Sequence, residues 1–580
     1  MLLQLFLALI LILAAGSGAL FAQDPPSPSP SPTPFVTDKS GTPPDKLNPV
    51  PPIAPDYRST DRSLPDLARV GVDMADQKPL TLDESLEMAL TNNRDIEVSR
   101  KNVLIAEFDL KAARGYYEPR FAGQTYYERS TVPNVSIFST NQTTTQGALL
   151  GNATVTGYVP NFGTQVAATF NNQRLTTNNP ISILSPQFNA SLGFTITQPL
   201  FRGRGIDQPR RAIEIAKRNL SLTDAQFRQR AIEIVASVER AYWDLAYNLR
   251  NLQVQRDGVR DAKAQLEHNR RLVEEGQLAP IDIVAAETQV ANYESAVYDA
   301  LNLVNAAENA LKNLISPNRS ERLWSQAITP VDPVSIAAPR VSLEQATETA
   351  LQNRPELELN KIQKEINNFD RKFFESQRQP QIDLIASYNS AGIGGNPNPS
   401  FNPNFPTPCT TDPTSPACQQ QLANLALLTG NPYSGVFSNR YPTYRVGIQF
   451  NLPIFGDRTS RAQLGRARVE GERIQTQREQ LEQAITVDVR NALQVVRTAE
   501  SRLRFASIAR ENSAKQYESE QRKLESGQSD VYRVLERQTA LTQARSNELR
   551  AQTELNKAIA DLGRATGNSL AANNIEAKSK

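Results

Sequence analysis

The sequence predicts an α+β fold in which two copies of one unit each combine a few alternating β-strands with very long coiled-coil helices. Three observations carry this prediction: a gap-free internal repeat, a seven-residue apolar period along two long polar segments, and short segments in which apolar and polar residues alternate. The seven-residue period is typical of left-handed coiled coils. Strict alternation is typical of strands that have one apolar and one polar face.

The internal repeat sets the organisation of the chain. Residues 80–121 align without gaps to residues 341–382, and two shorter blocks, GFTITQPLF with GIQFNLPIF and the Gly-Gln pairs at 276 and 527, follow in the same order. Two copies indicate an internal pseudo-dimer and not a solenoid. The identical pairs in the first block include Leu82/Leu343, Ala89/Ala350, Leu90/Leu351, Asn92/Asn353, Glu97/Glu358, Phe108/Phe369, Asp109/Asp370, Lys111/Lys372 and Pro119/Pro380.

The segments outside the repeats have simpler patterns. Residues 1–22 are uncharged, leucine-rich and end in small residues, which predicts a secretory signal peptide, with an uncleaved anchor helix as the alternative. Residues 23–79 are rich in proline and predict a disordered, extended tether. Repeat 1 then occupies 80–327, a linker 328–340, repeat 2 341–567, and a disordered tail 568–580.

Each copy predicts the same order of elements. A helix (81–117 and 342–378) precedes the strands, and a long helix (207–276 and 458–527) follows them. A return helix (281–315 and 531–562) completes the unit. Each long helix would measure roughly 100 Å at 1.5 Å per residue. Their apolar seams are Ala231, Val238, Leu245, Leu252, Val259, Leu266 and Val273, and Val489, Val496, Leu503, Tyr517 and Leu524, with Arg510 interrupting the second.

The strand segments predict a sheet that is incomplete in a single chain. In 188–197 and 444–452 apolar and polar residues alternate, as in a membrane barrel with lipid outside and water inside, although a half-buried soluble sheet has the same period. Two strands per copy give four per chain, too few to close a barrel around water. The unpaired edges therefore require oligomerisation. Three chains would supply twelve strands, and a weaker pattern near 150–175 stays unplaced.

Composition argues against catalysis and nucleic-acid binding. There are 63 Lys+Arg and 61 Asp+Glu, a net charge of +2, with one histidine, His268. This balance favours no nucleic-acid partner, and no metal-ligand spacing, nucleophile–base pair or phosphate loop is present, so we expect no enzyme, metal or cofactor. Cys409 and Cys418 predict a small disulfide in an oxidising compartment, with two free thiols as the alternative.

The duplicated helix–strand–helix order resembles the TolC family of outer-membrane efflux proteins from Leu80 to Gly567. The residues that carry the resemblance are NRPEL at 353–357, QPLF at 198–201, the two turns at Gly276 and Gly527, and ADLGRATG at 560–567. The resemblance implies a homotrimeric exit duct of a tripartite efflux or type I secretion system. Its barrel would contact outer-membrane lipid, and its large periplasmic part would meet a periplasmic adaptor (membrane fusion) protein and an inner-membrane transporter.

The resemblance also places a periplasmic gate at the two turns. Candidate gate residues are Gly276, Asp282, Gly527, Asp530, Arg533 and Glu536. Leu524 and Ser529 stand where the family has its gating Tyr and Arg, so the closing bonds of well-known members do not transfer. We expect either pairing of Asp282 with Arg533 or a mixed ring of Asp282, Arg533 and Glu536. The alternative is that these charges only solvate or cap helix ends.

Two other functions fit parts of the pattern. A periplasmic adaptor also carries a helical hairpin, but it would have one hairpin between small β-domains. A coiled-coil surface structural protein would need no paired strands beside each long helix. The exported substrate, the identity of the pump and adaptor, and the role of the proline-rich tether are not encoded in any pattern recognised in the sequence.

Overall fold

The computed structural model describes residues 68–133, 142–333, 337–401, 407–452 and 457–576. The predicted signal peptide and residues 23–67 of the predicted tether lie outside the described residues. No helix among the described residues is long and apolar enough to cross a membrane.

The described chain contains long helices and one large antiparallel sheet. In chain order the elements are β1 (Asp73–Leu80), α1 (Leu82–Asn92), α2 (Arg94–Arg114), β2 (Arg120–Pro133), β3 (Thr143–Val159), β4 (Thr164–Thr177), β5 (Leu184–Pro199), α3 (Gln208–Glu274), α4 (Ile281–Ile315), β6 (Gln326–Pro330), α5 (Leu343–Asn353), α6 (Pro355–Gln377), β7 (Gln381–Pro397), α7 (Pro408–Thr411), α8 (Pro416–Leu428), α9 (Pro432–Phe437), β8 (Tyr441–Asn451), α10 (Arg458–Glu525), α11 (Val531–Thr566) and α12 (Ser569–Ala572). This confirms the predicted α+β fold.

The large sheet has six strands in the order β2-β3-β4-β5-β7-β8, all antiparallel. The predicted number of four strands per chain is therefore wrong. The two additional strands, β3 and β4, form a hairpin between β2 and β5 and include the weaker pattern near 150–175. On the apolar face β3 carries the small residues Gly151 and Ala153, and β4 carries the polar residues Asn172 and Arg174, so the alternation is faint in the sequence.

The strand register separates an apolar face from a polar face. One row across all six strands contains Phe121, Val155, Ala168, Phe194, Tyr388 and Tyr444. The adjacent row, on the opposite face, contains Ala122, Thr154, Thr169, Gly193, Asn389 and Thr443. Such a division suits lipid on one side and water on the other.

The two long helices form as the period predicted. α3 has 67 residues and α10 has 68. Asp207 and Asp457 cap their first turns by accepting backbone hydrogen bonds from Arg210 and Ser460. The seven-residue seam is buried: Ala231, Val238 and Leu245 of α3 and Val489 of α10 each have a relative exposure of 0%.

The helices pack as two hairpins that are joined along their length. α3 packs against α4 and α10 packs against α11, and α3 also contacts α11, α2 and α6. Ion pairs cross these contacts, including Arg240 with Asp561 at 2.6 Å and Lys557 with Asp244 at 2.9 Å. Arg510, which interrupts the seam of α10, pairs with Glu548 of α11 at 2.9 Å. The interruption is therefore compensated by a charge on the facing helix.

A second, small sheet lies beside the middle of the helices and corrects the predicted start of the folded region. β1 pairs in parallel with β6, about 250 residues away in sequence, and Arg69 is already buried. The predicted tether, 23–79, therefore includes residues 68–79 that are folded. The sequence DMADQKPL is polar and non-periodic, and its partner strand is distant, so nothing local in the sequence predicts it. β6 likewise extends into the predicted linker 328–340.

The end of the chain also departs from the prediction. Residues 568–580 were expected to be disordered, but α12 follows Gly567 directly and packs against the helices. Ser569 is buried, Asn573 donates a hydrogen bond to Glu239 at 2.9 Å, and Leu570 and Ile575 contact the main core. Two apolar residues in a short polar segment are too few to show a period.

Candidate functional site at the hairpin tips

Both hairpins end in the same glycine-centred turn. Gly276 and Gly527 have φ angles of 71° and 73°. This left-handed conformation strains any residue that has a Cβ atom. In each turn the next backbone N–H donates back to the helix at 2.8 Å, from Gln277 to Leu272 and from Gln528 to Lys523. This bond pattern is that of a Schellman motif, which satisfies the last carbonyls of a helix.

At the first tip, Asp282 stabilises the start of α4. Its carboxylate accepts a hydrogen bond from the backbone N–H of Ala279 at 3.2 Å, and its own N–H donates to the carbonyl of Ala279 at 2.9 Å. A carboxylate in the first helical turn also interacts favourably with the helix dipole. Asp282 therefore has a local capping role in the single chain.

At the second tip, the acidic and basic candidates pair with each other. Asp530 is the N-cap of α11 and accepts from the backbone N–H of Arg533 at 2.9 Å. The Arg533 guanidinium also lies 3.4 Å from the Asp530 carboxylate. Among the described residues of one chain, the partner of Arg533 is thus Asp530 and not Asp282. Glu536 is exposed one turn further along α11.

A further acid at the second tip was not predicted. Glu520 of α10 accepts a hydrogen bond from the Ser529 hydroxyl, beyond the turn, and lies 3.2 Å from the Lys523 ammonium. The Ser529 hydrogen bond, followed by the one from Lys523, lowers the pKa of Glu520. This carboxylate joins the end of α10 to the segment that leads into α11. Its nine-residue separation from Ser529 follows no standard capping pattern, so the sequence alone gives no signal for it.

The two tips of one chain also pack together. Leu278 of the first turn and Tyr517 of α10 contact the apolar cluster of the second tip, which consists of Leu524, Val531, Val534 and Leu535. Higher up, Gln289 donates to Thr539 at 2.9 Å and the hydroxyls of Tyr293 and Thr542 lie 3.2 Å apart. We therefore expect the two tips to move as one unit.

The two cysteines lie at the opposite end of the molecule from the tips. A disulfide joins Cys409 of α7 to Cys418 of α8 in the insert between β7 and β8. This insert contains the three short helices α7, α8 and α9. Across the described residues, no group of three or more His, Cys, Asp and Glu side chains is arranged to hold a metal ion.

An amphipathic antiparallel sheet continuous with two long helical hairpins defines an outer-membrane channel protein with a large periplasmic helical part. The family model described as "Outer membrane efflux protein" matches residues 152–316 and 346–568. This is more than half of the chain, so the chain belongs to the outer membrane efflux protein family. The family consists of channels and not of enzymes.

Solved structures share this fold at low sequence identity. The outer-membrane channel OprN is 15% identical with a TM-score of 0.59, and the match covers 89% of this chain and 99% of OprN. CmeC of Campylobacter jejuni is 14% identical with a TM-score of 0.58, covering 84% of this chain and 86% of CmeC. MtrE of Neisseria gonorrhoeae is 16% identical with a TM-score of 0.55, covering 88% and 95%. A comparison with curated protein sequences gives no match.

Proposed function

We propose that three copies of the chain form a passive exit duct that conducts substrates from the periplasmic tips to the cell exterior. The observation that carries this proposal is the pair of open sheet edges, β2 and β8. Every residue of both strands is exposed in the single chain. An unpaired edge in a membrane sheet leaves backbone groups unsatisfied. Pairing β8 of one copy with β2 of the next removes both edges.

The strand directions support this closure. The sheet has six strands that alternate in direction, so β2 and β8 run in opposite directions. Around a closed ring of copies, β8 therefore meets the neighbouring β2 in the antiparallel sense, as in other bacterial outer-membrane barrels. A head-to-tail contact of this kind closes into a ring when the rotation from one copy to the next is a whole-number fraction of a full turn.

A passive duct does not drive export by itself, so it needs partner proteins that supply the energy and deliver the substrate. We propose that an inner-membrane transporter supplies the energy, and that a periplasmic adaptor meets the tips, in a tripartite efflux or type I secretion system. The exposed Asp530, Arg533 and Glu536 provide charged contacts at the tip surface. No cofactor is required for passive conduction.

For the gate, we propose a mixed ring of Asp282, Arg533 and Glu536 contributed by neighbouring copies. Within the described part of one copy, Arg533 forms its ion pair with Asp530, and both side chains are more than 60% exposed. Exposed pairs contribute little, about 0–1 kcal/mol. Arg533 can therefore exchange Asp530 for an acid of a neighbouring tip at little cost. The alternative role, local capping without gating, predicts no effect on conductance.

The test is single-channel conductance of the purified, detergent-extracted oligomer in a planar bilayer, with its mass determined beforehand. Discrete conducting steps from a trimer support the duct. A monomer that extracts without detergent and never conducts would contradict it and favour an adaptor or a surface coiled coil.

The gate is tested with Arg533→Ala in the same assay. We expect higher conductance or more frequent opening, because the ring loses its cation. The matched control is Arg497→Ala, an exposed arginine on α10 that lies roughly 45 Å from the tip at 1.5 Å per residue. Equal behaviour of Arg533→Ala and the wild type would remove Arg533 from the gate.

A further inference from the structure

The β3–β4 hairpin pairs along its whole length with the strands on both sides. β2 and β3 are in register from Arg120 opposite Thr156 to Pro133 opposite Thr143, and β4 continues in register onto β5. The hairpin therefore extends from one end of the sheet to the other. A hairpin that belonged only to the outer loops would pair with the neighbouring strands over a few residues at their outer ends.

The turn between β3 and β4 is fastened to the junction between the sheet and α3. Arg210 in the first turn of α3 donates to the carbonyl of Asn161 in this turn at 3.3 Å, and Asp207 holds the guanidinium at 3.0 Å. Gly163 has a φ angle of 69°, and a Cβ atom there would lie 2.8 Å from the carbonyl oxygen of Gly203. The other carbonyls that accept from Arg210 are those of Gly203, Arg204 and Gly205, at 2.6, 2.9 and 2.9 Å.

The other end of the hairpin is held equally well. Asn398, which follows β7 and is buried, donates its side-chain amide to the carbonyls of Asn179 and Ser182, both at 2.8 Å. Its backbone N–H donates to Ile183 at 2.9 Å. The connection from β4 to β5 is thereby tied to the end of β7.

Both faces of the sheet continue through most of the hairpin, and only towards the outer end of β4 does the apolar face carry polar residues, Asn172 and Arg174. Val155 and Val166 are exposed on the apolar face, and Asn152 and Asn171 are exposed and opposite each other on the polar face. The polar face carries amide and hydroxyl contacts between strands, from Asn171 to Ser191 at 3.3 Å and from Asn189 to Gln173 at 3.2 Å.

We propose that the β3–β4 hairpin is part of the transmembrane wall, so that the assembled barrel has six strands per chain and a pore wide enough for bulky hydrophilic solutes. This inference rests on the proposed function. Three copies of a six-stranded sheet give 18 strands. At a spacing of about 4.8 Å and a tilt of about 40°, 18 strands close at a radius of about 18 Å, whereas 12 strands close at about 12 Å.

The wider barrel matches the helical part below it. The four helices that adjoin the sheet directly are α2, α3, α6 and α10, and three copies of them form a ring of twelve. This ring has a radius of about 19 Å at an interaxial distance of about 10 Å. A six-stranded protomer thus continues this ring without a constriction. The inward side chains occupy about 5 Å, which is half the usual distance between two packed sheets. Subtracting this thickness leaves an open radius of about 13 Å with the hairpin and about 7 Å without it.

The experiment compares the wild type with a variant that lacks residues 143–177. In this variant β2 and β5 become neighbours through the remaining outer connection, with Phe121 and Phe194 still on the same face. Neutral polyethylene glycols of graded size are added to the outer side of single channels. We expect the size at which polymers stop entering to fall from about 13 Å to about 7 Å in hydrodynamic radius, roughly a threefold loss of open area.

Cysteine labelling keeps the proposal testable if the deletion variant does not fold. In the full chain in liposomes, Asn171→Cys should react with a charged thiol reagent and Val166→Cys should not. Asn189→Cys and Phe194→Cys on β5 are the matched controls, because the sequence already assigns opposite faces to them. The native cysteines are joined in a disulfide and do not react. If Asn171→Cys and Val166→Cys both reacted, the hairpin would lie outside the transmembrane wall of the barrel and the proposal would be wrong.

The outcomes separate the two proposals. A chain that never conducts contradicts the proposed function. A channel that conducts but excludes polymers at the same small size with and without the hairpin leaves the duct standing and overturns the wide barrel.

Discussion

The charge cluster beneath the small β1–β6 sheet should control the stability of that region. Glu308 of α4 has no exposed surface, and its carboxylate lies 2.8 Å from the Arg69 guanidinium and 3.4 Å from the Lys312 ammonium. It also accepts the backbone N–H of Ile328 in β6 at 2.7 Å. Burial lowers the pKa of Lys312. One carboxylate therefore compensates two buried cations and one backbone donor.

Glu308→Ala removes this compensation and leaves both cations buried. Removing one partner of a buried ion pair costs about 3–5 kcal/mol, which corresponds to roughly a 150-fold to 4000-fold loss of amide hydrogen-exchange protection in β1 and β6. Glu308→Gln should lose less, because an amide oxygen still accepts from Ile328. The assay is hydrogen exchange with mass spectrometry on the purified oligomer.

Arg322→Ala is the control for this prediction. Arg322 pairs with Asp76 of β1 at 2.8 Å, but its side chain is 75% exposed. An exposed pair contributes only about 0–1 kcal/mol, so protection in β1 should fall by less than about fivefold. If Glu308→Ala and Arg322→Ala gave the same small effect, the reasoning from burial would be refuted.

Three further predictions concern the tips and the outer insert. Gly276→Ala should destabilise the first tip by about 1–2 kcal/mol, because alanine is strained at positive φ, and faster exchange confined to that turn would show it. As pH falls through the lowered pKa of Glu520, the carboxylate that holds Ser529 and Lys523 is neutralised, so channel opening should increase. Glu520→Ala removes the acceptor at every pH and should open already at neutral pH, and a variant whose pH profile equals that of the wild type would exclude the bond from gating. Cys409→Ser should leave conductance unchanged but speed proteolysis near Cys418, since closing so short a loop stabilises by roughly 2–3 kcal/mol.

The helical part of the fold was largely predictable because its signals are local and repeated. The return helix α4 begins and ends where the sequence predicted, and α3 and α10 differ from the prediction by about a turn at most. Long amphipathic periods, capping aspartates and terminal glycines act over a few residues. The apolar alternation of β5 and β8 is a local signal of the same kind.

The elements that escaped prediction depend on distant partners. β1 pairs with β6, about 250 residues away in sequence, and the buried Arg69 pairs with the similarly distant Glu308. β3 and β4 carry small or polar residues at several positions of the apolar face, so their two faces become clear only once their neighbours in the sheet are known. At the tips, the sequence located both glycine turns, but the partner of Arg533 and the Glu520–Ser529 bond depend on side-chain positions that no spacing rule specifies.

The asymmetry between the two copies explains how such a hairpin could be accommodated. The first copy contributes four strands to the sheet and the second contributes two. Adding one strand would make β2 and β8 run in the same direction, and the contact between neighbouring chains would become parallel. Adding two strands preserves the antiparallel contact and keeps both outer connections on the same side of the sheet. A full-length hairpin is therefore the smallest insertion that widens the wall while leaving both edges able to pair.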